Sequence, residues 1–285
     1  MKIGIPETRY RPFYGPDELY VKMKEHGFDC ADHQGFLNTD TDFFRAPEAE
    51  FMRRIEAERR RARDAGIEFW QTHGPWRYPP RESTEEQRRI RLEEYKKAIR
   101  GTAALGAPHI VLHCIMPFGA EENPEPERFY ELNAEFFSAL LPVAHDCGVT
   151  LCLENLPMTK LSLSTPDEVL GFVNELNDEH LKICLDTGHA AVFGIQPADA
   201  LRELGRGMVR TLHVHDNDGR SDRHDYPFTG VIDWKAFSRT LHDIDYDGVV
   251  SLESTVYPRI PKEAAEMFLR GLALDARAIA NGLDA

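Results

Sequence analysis

Residues 149–194 read VTLCLENLPMTKLSLSTPDEVLGFVNELNDEHLKICLDTGHAAVFG. Two continuous apolar runs, Val149–Glu154 and Leu181–Asp186, each end on a carboxylate. Between them Thr165-Pro166-Asp167-Glu168 carries the marks of a helix start: a hydroxyl cap, a proline at the first helical position and two acids in the first turn. A strand, a helix and a second strand without a hairpin turn make a parallel pair joined by a crossover. Runs that are apolar throughout, and not alternating, suit strands covered on both faces.

Read outward from this unit, the same alternation covers the chain. Further strand-like runs are Lys2–Ile5, Phe28–Ala31, Ile67–Thr72, His109–Cys114, Val209–His215 and Val249–Glu253. Helix-like stretches fall between them at Pro16–His26, Pro47–Ala65, Thr84–Leu105, Pro126–Cys147, Pro197–Leu204, Asp233–Ile244 and Pro261–Ile279, several stopping at a glycine. The 285 residues therefore hold eight strand–helix pairs of about 36 residues each. Eight such units close into a (β/α)8 barrel, expected as one domain over residues 1–285. An open doubly wound sheet would show GxGxxG after its first strand. Here Ile5 is followed by PETRYRPFYG.

Hydrophobic residues at 42% and charged residues at 29% exclude a disordered chain or a coiled coil. No run approaches the ~18 apolar residues of a membrane helix. MKIGIPETRY lacks the apolar segment of a signal peptide, so a cytoplasmic protein is expected. The balance 34 − 48 = −14 argues against a nucleic-acid partner, which needs a basic footprint. Five cysteines (Cys30, Cys114, Cys147, Cys152, Cys184), an odd number with no CxxC, read as reduced thiols.

Barrel chemistry gathers at the C-terminal ends of the strands. From the third run onward those ends are His73, His113, Glu154, Asp186, His215 and Glu253, with His189 three residues after Asp186. A carboxylate or imidazole after four or five apolar residues is costly to bury unless it is paired or metal-bound. His213 should share the strand face of His215, with one of the two standing behind the other. His109 begins its strand, at the opposite end of the barrel. His26, His33, His145, His180 and His242 are expected at the surface or in packing. The segment HDNDGRSDRHDYPFTGVIDW (215–234) crowds Asp216, Asp218, Asp222, His224 and Asp225 into one loop, anchored by Phe228-Thr229-Gly230 and Ile232-Asp233-Trp234, as a folded lid would be.

LCLENLP, ICLDTGHAAVFG, LHVHDNDGRSDRH…GVIDW and GVVSLES resemble, in order, the motifs of the sugar phosphate isomerase/epimerase group of the xylose isomerase-like TIM-barrel superfamily. The resemblance covers most of the chain and is strongest from residue 149 onward. It implies one divalent ion (Mn2+, Mg2+ or Co2+, with Zn2+ as a further candidate) held by Glu154, Asp186, His215 and Glu253. It implies Glu154 and Glu253 as the catalytic acid/base pair and places His189 against substrate; His113 and His224, rim imidazoles able to donate to and accept from sugar hydroxyls, are expected to bind substrate as well. The reaction so implied is isomerisation or epimerisation of a sugar, keto sugar or polyol derivative. The ion chelates two adjacent substrate oxygens and stabilises an enediolate while one glutamate removes a proton and the other returns one. The partner is then a small carbohydrate, with no nucleic acid and no membrane, and a homo-oligomer is compatible. A lyase or dehydratase acting on a keto sugar or inositol derivative is the neighbouring chemistry. No glycine-rich phosphate nest supports a phosphorylated substrate.

The epimerases carry Glu-x-x-Arg after the strand-seven histidine, whereas this chain has Asp216-Asn217-Asp218-Gly219. The apurinic-site endonuclease IV family, in the same superfamily, uses three zinc ions. Similar residues stand here for all its ligands: His73, His113, Glu154, Asp186, His189, His215, Asp222, His224 and Glu253. The stretch from His215 to His224 is shorter than in that family, and it is expected not to carry Asp222 back over the barrel mouth.

Overall fold

The computed structural model describes residues 1–283. Its strands are β1 (Lys2–Pro6), β2 (Cys30–His33), β3 (Glu68–His73), β4 (His109–Leu112), β5 (Thr150–Glu154), β6 (Leu181–Asp186), β7 (Val209–His213) and β8 (Val249–Ser251). They form one parallel sheet in the order β7-β6-β5-β4-β3-β2-β1-β8. A parallel bridge between Val214 and Leu252, just beyond the last residues of β7 and β8, brings the two edges together. The sequence of elements is that of a (β/α)8 barrel, as the alternation requires.

The long crossover helices are α1 (Leu19–His26), α3 (Glu48–Asp64), α4 (Glu85–Leu105), α5 (Pro126–Cys147), α6 (Pro166–Leu176), α8 (Pro197–Met208), α9 (Trp234–Asp243) and α10 (Lys262–Asn281). Thr84 and Thr165 close capping boxes with Gln87 and Glu168, satisfying amides that the first turn leaves free. Helix α1 ends on Gly27 (φ 105°) and α4 on Gly106 (φ 86°), left-handed positions that an L side chain resists. Three short helical pieces have no apolar period to announce them: the 3-10 turn η1 (Glu7–Arg9), α2 (Asp42–Arg45) and α7 (Thr187–Val192).

Strand two departs from the expected Phe28–Ala31. It runs Cys30–His33 and carries Asp32 and His33 into the interior, each 1% exposed. An apolar count misses such a strand, because its polar side chains are balanced by partners from elsewhere in the chain. Asp32 accepts a hydrogen bond from Gln71 Nε2 (3.0 Å), and His33 lies 3.1 Å from the buried Glu7 carboxylate. All five cysteines are free, four of them buried. Among the described residues no helix is long and apolar enough to cross a membrane.

His109, first residue of β4, lies at the N-terminal end of the barrel, as its position in the sequence requires. Its ring packs edge-on to Trp70 (4.8 Å), and its Nδ1 has no hydrogen-bond partner. Burial, with a smaller contribution from Arg210, pushes its pKa from 6.5 down to about 4. A histidine depressed in this way binds its proton in the unfolded chain first. The stability it preserves above pH 6.5 is lost as pH falls toward 4, about 3 kcal/mol by linkage. His109→Leu is expected to flatten the acid limb of unfolding free energy between pH 7 and 4 by that order, measured by urea denaturation. An unchanged limb would refute it.

Candidate active site

Each candidate site residue sits at the strand end its motif indicated. His73, Glu154 and Asp186 are the last residues of β3, β5 and β6; His113 follows β4 directly, and His215 and Glu253 stand two residues past β7 and β8. All six are buried, as is His189, and the side chains converge. Glu154 is the meeting point. Its Oε2 accepts from His113 Nε2 (2.9 Å) and lies 3.5 Å from His73 Nε2; its Oε1 accepts from His213 Nδ1 (2.8 Å) and lies 3.7 Å from His189 Nδ1. His213 Nδ1 is also 3.3 Å from Glu253 Oε2, so one imidazole touches both glutamates. Asp186 lies 3.1 Å from His215 Nε2, and its Oδ1 accepts from the His189 amide (2.7 Å), capping α7.

Four imidazoles share one arrangement. The Nδ1–H of His73, His189, His215 and His224 points to the backbone carbonyl of Gly74 (2.9 Å), Asn155 (2.8 Å), Asp216 (3.3 Å) and Glu253 (3.0 Å) respectively. The carbonyl fixes the tautomer and leaves each Nε2 facing carboxylates. Burial opposes charge on His189, yet Asp186, Asp222 and Glu154 push it up to about 10. In the same way Asp222 and Glu253 outweigh burial and bring His224 up to about 9. The histidines around Glu154, His213 and His113 foremost, hold its carboxyl well below the usual range against its burial.

The loop after β7 corrects one expectation. It is short, but it does carry Asp222 and His224 back over the mouth. Asp222 Oδ2 lies 3.4 Å from His189 Nε2 and 3.2 Å from His224 Nε2, and the His224 ring stacks on His215 at 4.0 Å. The fold of the loop rests on Asp216, fully buried, whose carboxylate accepts from the amides of Asn217, Gly230, Val231 and Ile232 and from Trp234 Nε1 (2.8 Å). An Asp216–Asp225 antiparallel bridge closes the hairpin. A cavity of about 300 Å3 remains above the carboxylates, with Arg9, Gln34, Trp76, Leu156 and Met158 among its walls.

Sequence reasoning paired His213 with His215 on one strand face but missed its partners Asp32 and Gln71 beneath the mouth, and Gln34 and Arg9 beside it. His213 Nε2 lies 3.3 Å from Asp32, which Gln71 orients in turn. Gln71 and His73 follow the two-residue period of a strand and so share a face, as His213 and His215 do; extending that period down each strand would have found Gln71. Gln34 and Arg9 have no such signal.

The family model described as xylose isomerase-like TIM barrel matches residues 21–272. An uncharacterized protein of Methanocaldococcus jannaschii, MJ1311, is 31% identical over 179 residues, 61% of this chain and 60% of that protein. A D-psicose 3-epimerase of Agrobacterium fabrum is 29% identical over 146 residues, 51% of this chain and 48% of that protein. The matches thus span about half to three-fifths of these relatives. In fold, a crystal structure of D-psicose 3-epimerase in the presence of D-fructose superposes with a TM-score of 0.79 at 20% identity, covering 99% of this chain and 100% of that one.

At Gly188 the His215 ring packs directly on the backbone, in space that a side chain would fill. A Cβ there would lie under 3.0 Å from three atoms of the His215 ring. Gly188→Ala is expected to displace His215 while the protein stays folded. Histidine side-chain NMR would show His215 and the stacked His224 shifting together, with far-UV circular dichroism unchanged. A native His215 signal in that variant would contradict the packing argument.

Proposed function

Because the chain belongs to the xylose isomerase-like TIM-barrel family, we propose that it is a divalent-metal-dependent isomerase or epimerase acting on a sugar or keto-polyol derivative. The observation that carries this reading is the gathering of Glu154, Asp186 and Glu253, all buried, with His215 at one barrel mouth. Buried carboxylates in such proximity call for a shared cation. The donors fit one: the histidine of the set, His215, gives its Nδ1–H to the Asp216 carbonyl and turns Nε2 toward Asp186, the usual preparation of a ligating histidine. Glu154, Asp186, His215 and Glu253 would hold the ion, an oxygen-rich set suited to Mn2+, Mg2+ or Co2+ and able to take Zn2+. Bound there, it would polarise a substrate carbonyl and acidify the adjacent C–H.

The protein's own groups then divide the remaining work. Glu154 and Glu253 come from β5 and β8 and meet across His213. Both carboxyls are held below their ordinary range by the surrounding histidines, so both start as bases. One takes the proton α to the carbonyl; the other, once protonated through His213, which touches both, returns one to the same carbon in an epimerase or to its neighbour in an isomerase. His113 hydrogen-bonds Glu154 and lines the cavity, where its ring would meet substrate. His189 and His224 grip Asp222 and present it to the cavity, so in this reading they contact substrate together with that carboxylate. Trp76, Leu156 and Met158 form an apolar wall that limits water.

One observation favours a second reading. Ligand atoms of His189, His215, Asp222 and His224 lie within 4.8 Å of one another, and so do those of His73, His113 and Glu154. These are further metal-binding sets at the same mouth, as an endonuclease IV-like enzyme with three zinc ions and an abasic-site DNA substrate would need. Metal analysis of the purified protein with a cleavage assay on abasic-site duplex separates the two. About one ion per chain and no cleavage is expected; about three zinc ions with strand cleavage would replace the sugar reading.

Glu154→Gln and Glu253→Gln are each expected to lower turnover at least ~100-fold, the scale of a lost general acid or base. Each should also weaken metal binding, with the fold retained. In D2O the wild type should place deuterium on the carbon α to the carbonyl, across a panel of ketoses and inososes read by NMR. Turnover without deuterium entry would exclude the proton-transfer mechanism.

A further inference from the structure

The 3-10 turn Glu7–Arg9 directly follows β1, and all three of its side chains serve the region around Glu253. Arg9 donates from Nε to the Ser254 carbonyl (2.9 Å) and from Nη2 to the Glu253 carbonyl (3.1 Å). Thr8 Oγ1 donates to Gln34 Oε1 (2.7 Å). Glu7, fully buried, accepts the Gln34 amide N–H at its Oε2 (3.0 Å). Gln34, itself buried, donates from Nε2 to Glu253 Oε1 (3.1 Å).

Glu253 needs such support because of where it stands. Strand β8 stops at Ser251, and the β7–β8 seam is held by the Val214–Leu252 bridge, with Glu253 N donating to Val214 O (2.9 Å). Past that point the carbonyl of Glu253 is taken by Arg9 and His224, not by a strand. The Glu253 carboxylate has His213 Nδ1 at 3.3 Å and His224 Nδ1 at 3.8 Å from Oε2, while Oε1 accepts from Gln34.

We propose that Gln34, locked by Thr8, is a positioning residue that holds the Glu253 carboxylate toward the barrel mouth. The inference rests on the reading of Glu253 as a metal ligand and acid/base group. A primary amide can offer a carboxylate either its NH2 or its oxygen, and only the NH2 attracts it. The acceptor-only carboxylate of Glu253 takes Nε2, and the Thr8 hydroxyl donates to the Oε1 so turned toward it, which anchors the amide in that orientation. Thr8 does not line the cavity, so its influence on Glu253 runs through Gln34. The turn Pro6-Glu7-Thr8-Arg9, where a nucleotide-binding fold would carry glycines, serves here to brace the end of the neighbouring strand β8.

The experiment is calorimetric titration of the full chain with Mn2+, for wild type, Thr8→Val, Thr8→Ser, Gln34→Met and the Thr8→Val/Gln34→Met double variant. Residues that orient a metal ligand cost about 10-fold in affinity when lost, so about that loss is expected for Thr8→Val and for Gln34→Met. Thr8→Ser, which keeps the hydroxyl, should stay within about 2-fold of wild type. The double variant should match Gln34→Met alone, because the two act in series. Melting curves establish that each variant is folded, and Thr8→Val, which fills the same space, carries the test if Gln34→Met does not fold. Affinity for Thr8→Val within 2-fold of wild type, multiplying losses in the double variant, or a wild type that binds no Mn2+ would each overturn the proposal. A wild type that binds Mn2+ and converts no ketose or inosose would overturn the proposed function, while the Mn2+ series still decides the role of Gln34.

Discussion

A carboxylate buried at the end of a barrel strand has to be compensated within hydrogen-bond reach, and at Glu154 that constraint organises everything around it. Its two oxygens are met by His113 and His213 at 2.9 and 2.8 Å, with His73 and His189 close behind. These four histidines come from β3, β4, β7 and α7, so the pairing works only if the strands close on one axis. The site and the barrel are therefore one energetic unit. Removing one partner of a buried charge pair costs about 3–5 kcal/mol, because the other charge is left uncompensated.

The same logic extends downward and outward. His213 passes the compensation from Glu154 and Glu253 to Asp32, and Gln71 orients Asp32. Outside the strands, Asp216 does for the β7–α9 loop what Glu154 does for the mouth. Five donors from residues 217–234 converge on one buried carboxylate, so a charge-rich segment folds tightly where a solvated loop could have been expected. That fold brings Asp222 and His224 over the barrel.

How much of this could be read in the sequence depended on whether the signal was local. Strands β5 and β6 were legible because an unbroken apolar run ending on an acid is a local pattern, and Thr165 announced α6 in the same way. Strand β2 was placed two residues too early because its polar residues are paid for by Glu7, Gln71 and His213, which are distant in the chain. The inward face of Glu154, Asp186, His215 and Glu253 followed from their places at strand ends. The reach of the 215–224 loop did not, because chain length alone does not reveal a hub such as Asp216. Gln34 and Arg9 escaped notice because nothing in their neighbourhood marks them; their partners, Glu253 and Ser254, are neighbours in the sheet but lie more than 200 residues away in the chain.

Charge separates the two chemistries this mouth could support. Four carboxylates face it: Glu154, Asp186, Asp222 and Glu253. Against them stand Arg9, the fixed cation in the cavity wall, and the protons that the carboxylates hold on His189 and His224, pushed up to about 10 and 9. A ligating imidazole has to give its proton up. One ion at Glu154, Asp186, His215 and Glu253 would therefore leave His189 and His224 charged around Asp222, whereas three ions would displace those protons as well. Across the whole chain the charge is −14, a net balance that weighs against a polyanionic partner.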